Sequence, residues 1–224
     1  MTTTRAAAIL LAKELRLEFR TRELLSATIV FSLVIVVLFS FAFDPTAAES
    51  RRYGPGLLWI AFLFAGSLML NPSFAREQSN DTLDALRMAP ISPFAILSAK
   101  MLANFIFMSL VELVLVPVFG VLYNVSLSGV AGRLILVLVL GTIGLTVTGT
   151  VFSAISSHAR MRELLLPLLL LPILTPLLIA AVEATASLLV DQPELDRTWV
   201  ALLAGFDIVF LTASWLLCDY LIEE

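Results

Sequence analysis

Three carboxylates of this chain stand inside long apolar runs: Glu112, Glu183 and Asp207. At the centre of a bilayer a charged side chain costs about 3 kcal/mol on insertion scales, so such a residue faces a bundle interior, water or a partner chain. No Lys or Arg is placed mid-run to pair with them. Their partners must be Ser, Thr, Asn, backbone, water or another subunit. Two readings are open for Glu112: a functional polar site, or a protonated or hydrogen-bonded packing residue. For Asp207 the structural reading comes first and the polar site second. Glu183, near the outer end of its run, reads as structural. Glu112 and Asp207 are thus the candidate intramembrane polar site, and a proton-driven carrier would use them as its titrating groups.

Other chemistries lack their parts. The chain has one histidine, His158, and one cysteine, Cys218. That excludes a disulfide framework, a cysteine metal cluster and any site needing two histidines from one chain. Ser156-Ser157-His158 reads as loop, far in sequence from an acid partner. A phosphate-cradling loop needs Gly-x4-Gly-Lys. The only lysines are Lys13 and Lys100, and neither follows Gly. The chain is expected to be non-catalytic, with no metal site and no nucleotide of its own.

Composition sets the elements that must carry these residues. Of 224 residues, 59% are hydrophobic and 14% charged, and the mean hydropathy is +0.98. Soluble domains run at about 45–50% apolar and about 25% charged. A soluble fold of this size could not hide so much apolar surface, so lipid is the solvent for much of the chain. This excludes a soluble globular enzyme. A net charge of -4 and a pI near 5.1 exclude a nucleic-acid binder.

A membrane-spanning helix needs about 20 apolar residues. Six stretches qualify: 24–43, 57–74, 101–123, 130–155, 164–189 and 199–221. Only short loops remain, so residues 1–224 read as a single all-α transmembrane domain. The first run is too long for the apolar core of a signal peptide and reads as a retained helix. Orientation follows from Lys and Arg. Ten of them fall before the first span, between the second and third, and between the fourth and fifth; four fall on the other side. Both termini and the 75–100 loop are therefore expected on the cytoplasmic side.

Residues 1–23 read as an interfacial amphipathic helix. Leu11, Leu15 and Phe19 recur every four residues with Ala8 and Ala12 beside them, and Lys13, Arg16, Arg20 and Arg22 populate the other side. In the 75–100 loop, Asp81 is a good N-cap with Asp84 three residues on. Pro90 stops that helix after about two turns. Ser92 then caps a new helix with Pro93 at its first position. Leu83 and Leu86 share a face of the short helix and need a partner: they could dock back on this chain, lie on lipid or insert into a groove on another protein. In the fifth span Pro167, Pro172 and Pro176 each remove a backbone donor, giving a kinked or locally unwound helix and a candidate hinge. Gly141, Gly144 and Gly149 in the fourth span allow close helix approach. Trp59, Trp199 and Trp215 suit interfacial belts.

The loop carries a resemblance. Arg76-Glu77, Thr82-Leu83-Asp84-x-Leu86, Pro90 and Lys100 resemble the coupling segment of type-2 ABC exporter permeases, and Lys13-Glu14-Leu15-Arg16 is similar to their elbow helix. Asp81 stands where that family usually has Gly. More narrowly, residues 56–61, the run 68–75 and the two-proline run 171–178 resemble the haem exporter B family of cytochrome c maturation permeases, over nearly the whole chain.

The resemblance implies a six-span permease with an N-terminal elbow helix and a short cytoplasmic coupling helix. It implies a bacterial inner-membrane complex with two copies of an ABC ATPase, a second copy of this chain and other cytochrome c maturation proteins. Arg76, Glu77, Asp81, Thr82, Leu83, Asp84, Leu86, Arg87 and Pro90 would form the ATPase contact. ATP would act only through the partner subunit. Haem is the implied cargo, or the load of a partner protein, and the residues themselves show no haem-ligand site. Two alternatives stand beside this: a type-2 ABC permease for another hydrophobic cargo, and a proton-driven carrier using Glu112 and Asp207.

Overall fold

The structure is a computed structural model that describes residues 3–42, 48–70, 74, 91–127, 129–156, 162–189 and 195–223. The described residues form seven helices: α1 (Thr3–Thr21), α2 (Glu23–Ala42), α3 (Ala48–Leu70), α4 (Pro93–Leu122), α5 (Ala131–Ser156), α6 (Arg162–Leu189) and α7 (Arg197–Glu223). Six of these, α2 to α7, are long and apolar enough to cross a membrane.

The α1–α2 break is local chemistry. Arg22 takes a left-handed φ of 57° and ends α1. The buried Glu18 carboxylate accepts from Leu25 N at 2.9 Å, and so covers a free donor at the start of α2. On α1, Leu11 and Leu15 pack on the core and the Phe19 ring meets Phe107 edge-on at 6.2 Å. Ala8 and Ala12, expected beside them, are exposed. Glu14 and Glu18 turn inward in their place, because each finds a partner there.

Ser92 and Pro93 start α4 as their types require: Ser92 Oγ accepts from Ala95 N at 3.3 Å, and proline takes the first helical position. At 30 residues α4 is about 45 Å long, more than a hydrocarbon core needs. The third helix starts at Ala48, nine residues before the apolar run. Hydropathy reports the thickness of lipid, whereas the helix continues into its polar flank.

At the centre of the bundle α5 is the most buried span and α7 the least. Trp59 of α3, expected at an interface, is instead buried in the core. Its indole N–H donates to Thr185 Oγ1 of α6 at 2.9 Å, and its ring lies over Gly141 of α5, where a Cβ would collide with it. The missing side chain makes the hole that the largest ring fills. Gly149 gives Leu70 of α3 the same room, and Ser153 Oγ donates to the Leu70 carbonyl at 2.8 Å.

Candidate functional site

A row of polar groups runs between α4 and α5. Lys100, Asn104, Met108 and Glu112 follow one another at four-residue spacing on α4, and all are buried. Facing them on α5 are Thr142, Thr146 and Thr150. Asn104 Nδ2 donates to Thr150 Oγ1 at 2.9 Å, and the Thr142 hydroxyl donates to the Glu112 carboxylate. Eight residues along α4 match eight residues back along α5, so the helices run antiparallel in register. The Thr146 and Thr150 hydroxyls each donate to the carbonyl four residues earlier, at 2.6 Å. The row is thereby satisfied without a cation beside Glu112, which is how a polar side chain persists in lipid.

Asp207 lies elsewhere. It packs against Gly144 of α5, where a Cβ would stand 2.7 Å from Oδ1 and 2.6 Å from Leu177 Cδ1. Neither carboxylate oxygen has a hydrogen-bond partner among the described residues. Thr142 and Gly144 are two residues apart, hence about 200° around α5 and about 3 Å along it. Glu112 and Asp207 therefore flank α5 on opposite sides at nearly one depth, and do not form one site.

At the α1 end of the same row sits a second arrangement. Lys100 is buried, its Nζ 3.5 Å from Glu14 Oε1 of α1 and 4.8 Å from the centre of the Phe74 ring. Phe74 and Lys100 bracket the loop that carries the coupling pattern. Phe74 belongs to a small hydrophobic core with Ile96, Leu97, Ala154 and Cys218, with Leu10 and Leu221 against it. It joins α1, α4, α5 and α7 at that end of the bundle. Two of these contacts have a signal in the sequence: the four-residue spacing of Lys100, Asn104 and Glu112, and a glutamate, Glu14, on the amphipathic N-terminal helix as a partner for Lys100.

Arg76, Glu77, Asp81, Thr82, Leu83, Asp84, Leu86, Arg87 and Pro90 lie outside the described residues, as does His158. Pro167, Pro172 and Pro176 all lie within α6, which stays helical from Arg162 to Leu189 rather than unwinding. Pro172 and Pro176 are on its exposed side, with Ile179, while Leu170, Leu174 and Leu177 face the bundle. The Thr175 hydroxyl donates to the Leu171 carbonyl at 2.8 Å, adding a donor beside the two proline gaps. Among the described residues no three His, Cys, Asp or Glu gather to hold a metal ion.

The family model described as CcmB protein matches residues 5–217. The chain belongs to the CcmB family. Relatives of this CcmB-family chain include the heme exporter protein B of Bradyrhizobium diazoefficiens, 31% identical over 185 residues and covering 83% of each chain. That of Rhodobacter capsulatus is 34% identical, over 78% of this chain and 79% of its own. That of Pseudomonas aeruginosa is 30% identical, over 88% of this chain and 89% of its own. As a CcmB-family member with six apolar helices, it is a multi-pass membrane protein.

Proposed function

We propose that this chain is the permease subunit of an ABC-type complex in cytochrome c biogenesis. It couples ATP hydrolysis in a separate ATPase to haem export, or to release of a haem-carrying partner protein. The haem context rests on the relatives named heme exporter protein B. The coupling role rests chiefly on the Lys100 arrangement. Phe74 and Lys100 flank the 75–92 loop, and Lys100 also holds Glu14 of α1. A push on the loop would thus reach α1 and α4 together, with little slack, because a buried lysine released from its carboxylate is costly.

In this reading the chain sits in a bacterial inner membrane with both termini cytoplasmic. Two copies pair, each docking one ATPase subunit through Leu83 and Leu86, with Arg76, Glu77 and Arg87 at the rim and Asp81, Thr82, Asp84 and Pro90 shaping the short helix. ATP is bound by the partner. The proline-rich α6 is the segment suited to bend as the loop moves. The chain itself forms no covalent intermediate and acts as a mechanical coupler.

The test is Leu83→Asp and Leu86→Asp in a cell that makes c-type cytochromes. Each variant should reach the membrane at normal levels, lose the co-purifying ATPase and stop cytochrome c maturation. Retention of both ATPase and cytochrome c would refute the coupling assignment.

A further inference from the structure

The outer face of α1 carries cations and no acid. Between Thr3 and Thr21 the charged residues are Arg5, Lys13, Glu14, Arg16, Glu18 and Arg20. Both acids turn to the bundle, Glu14 to Lys100 and Glu18 to the Leu25 amide. All four cations are exposed. Lys13 lies 3.5 Å from Glu14, which offsets its charge. Among the described residues, Arg5, Arg16 and Arg20 form no ion pair with a carboxylate. At 3.6 residues per turn these three fall within about 60° of arc, on the side of α1 opposite Glu18. The whole chain has a net charge of -4, so this face is a local exception and not part of a generally basic surface.

The depth of the face follows from its neighbours. The charge-free run of α2 begins at Leu24, directly after Glu23, and the apolar run of α4 begins directly after Lys100. Both helices therefore enter hydrocarbon beside α1, whose Glu14 touches Lys100. Arg16 is seven residues and Arg20 three residues before Glu23, so both stand within about 10 Å of that entry along the helix. The headgroup layer on each side of a bilayer is about 5–8 Å thick, and an arginine side chain extends to reach it. Leu17 and Phe19 are exposed as well and lie on either side of the Arg16–Arg20 pair. Water alone is a poor partner for such a mixture. At a bilayer boundary the apolar side chains enter the acyl region while the guanidiniums stay among the headgroups.

We propose that the Arg16–Arg20 face of α1 is a binding site for anionic phospholipid headgroups of the leaflet beside it. The guanidiniums donate paired hydrogen bonds to phosphodiester oxygens, a geometry that suits phosphate. Leu17 and Phe19 pack on the upper acyl chains of the same lipids. Arg5, three to four turns further from the lipid entry, adds attraction at longer range. A zwitterionic lipid offers the same phosphate with its own ammonium beside it, so the face favours lipids with net negative charge. An acidic protein surface would satisfy the arginines but leave Leu17 and Phe19 without an apolar partner. The site holds whether or not an ATPase drives the chain.

The test uses the full-length chain in detergent, titrated by native mass spectrometry with phosphatidylglycerol and phosphatidylcholine of identical acyl chains. Phosphatidylglycerol should bind at least about fivefold more tightly, and added salt should weaken it. Arg16→Gln with Arg20→Gln should cost about fivefold per arginine for phosphatidylglycerol and leave phosphatidylcholine unchanged. Arg133→Gln with Arg197→Gln, exposed and at the other end of the bundle, removes the same charge and should change neither. Equal losses from the two pairs would mean a net-charge effect and overturn the proposal, as would equal affinity for the two lipids. Displacement by inorganic phosphate would make this a site for a soluble anion and overturn it too. A second measurement needs no variant: phosphatidylglycerol with a photoreactive headgroup, added to the native chain in vesicles, should crosslink chiefly to residues 5–22. Crosslinks spread evenly over the ends of the helices would refute the site. So would a complex from native membranes in which residues 5–22 crosslink to a protein and no lipid.

Discussion

Asn104 of α4 donates to Thr150 of α5 at 2.9 Å, two turns from the place where Thr142 of α5 donates to Glu112 of α4. The two bonds fix the register of the longest helix against the most buried one. They also give Glu112 a partner that needs no charge.

If the row acts through hydrogen bonding, Glu112→Gln retains an acceptor for Thr142 and leaves both fold and cytochrome c maturation intact. Asn104→Leu loses one interhelical bond and costs about 1 kcal/mol. Thermal unfolding in detergent and cytochrome c yield in cells check the pair. Loss of function in Glu112→Gln at normal protein level would show that an ionisable group is required there.

Asp207 is buried with both oxygens unpartnered among the described residues. An unsatisfied buried polar group costs about 1–3 kcal/mol. Asp207→Leu should therefore stabilise the chain by about that amount, provided the leucine fits beside Leu177 and Gly144. A rise in unfolding temperature is the expected result. A fall, with Asp207→Asn behaving like the native residue, would reveal a hydrogen-bond donor supplied from outside this chain.

The Trp59–Gly141 contact leaves no room for a side chain on α5. Gly141→Ala should cost about 1–3 kcal/mol, as overpacking does. Trp59→Phe removes the donor to Thr185 and opens a gap beside Gly141, again by a few kcal/mol. The double variant Gly141→Ala, Trp59→Phe should recover part of the loss, since the smaller ring makes space for the methyl group. Additive losses would contradict the contact.

Lys100 gives a charge-swap experiment. Lys100→Gln should leave the ATPase bound to the 75–92 loop but reduce cytochrome c maturation several-fold. Glu14→Lys with Lys100→Glu should restore part of it, because the ion pair at 3.5 Å is re-formed with reversed sign. A Lys100→Gln chain that matures cytochrome c at the native rate removes Lys100 from the coupling path.

Glu18 caps α2 from α1. Glu18→Ala should cost about 1 kcal/mol, the usual value of a lost helix cap, with Glu18→Gln losing less. Hydrogen exchange at Leu25 N–H measures it directly.

Much of this protein is legible in the residue order because lipid and the backbone impose local rules. A run of about 20 apolar residues must be a helix where no water can satisfy its peptide groups. Ser92-Pro93 starts a helix because one residue caps and the other needs no donor. Amphipathic spacing marks α1 as a helix beside the spans, whichever neighbour it meets. What spacing leaves open is which neighbour each face meets. The rows 100, 104, 108, 112 and 142, 146, 150 are both visible in the sequence, but only the packing of α4 on α5 sets them opposite one another. Glu112 and Asp207 look alike as intramembrane acids, and tertiary structure separates them by a helix. Trp59 has the type of an interfacial residue and becomes a core residue because Gly141, far along the chain, leaves it a hole. Each of these outcomes depends on long-range contacts between helices that are individually stable in lipid, and their faces are paired only when the bundle closes.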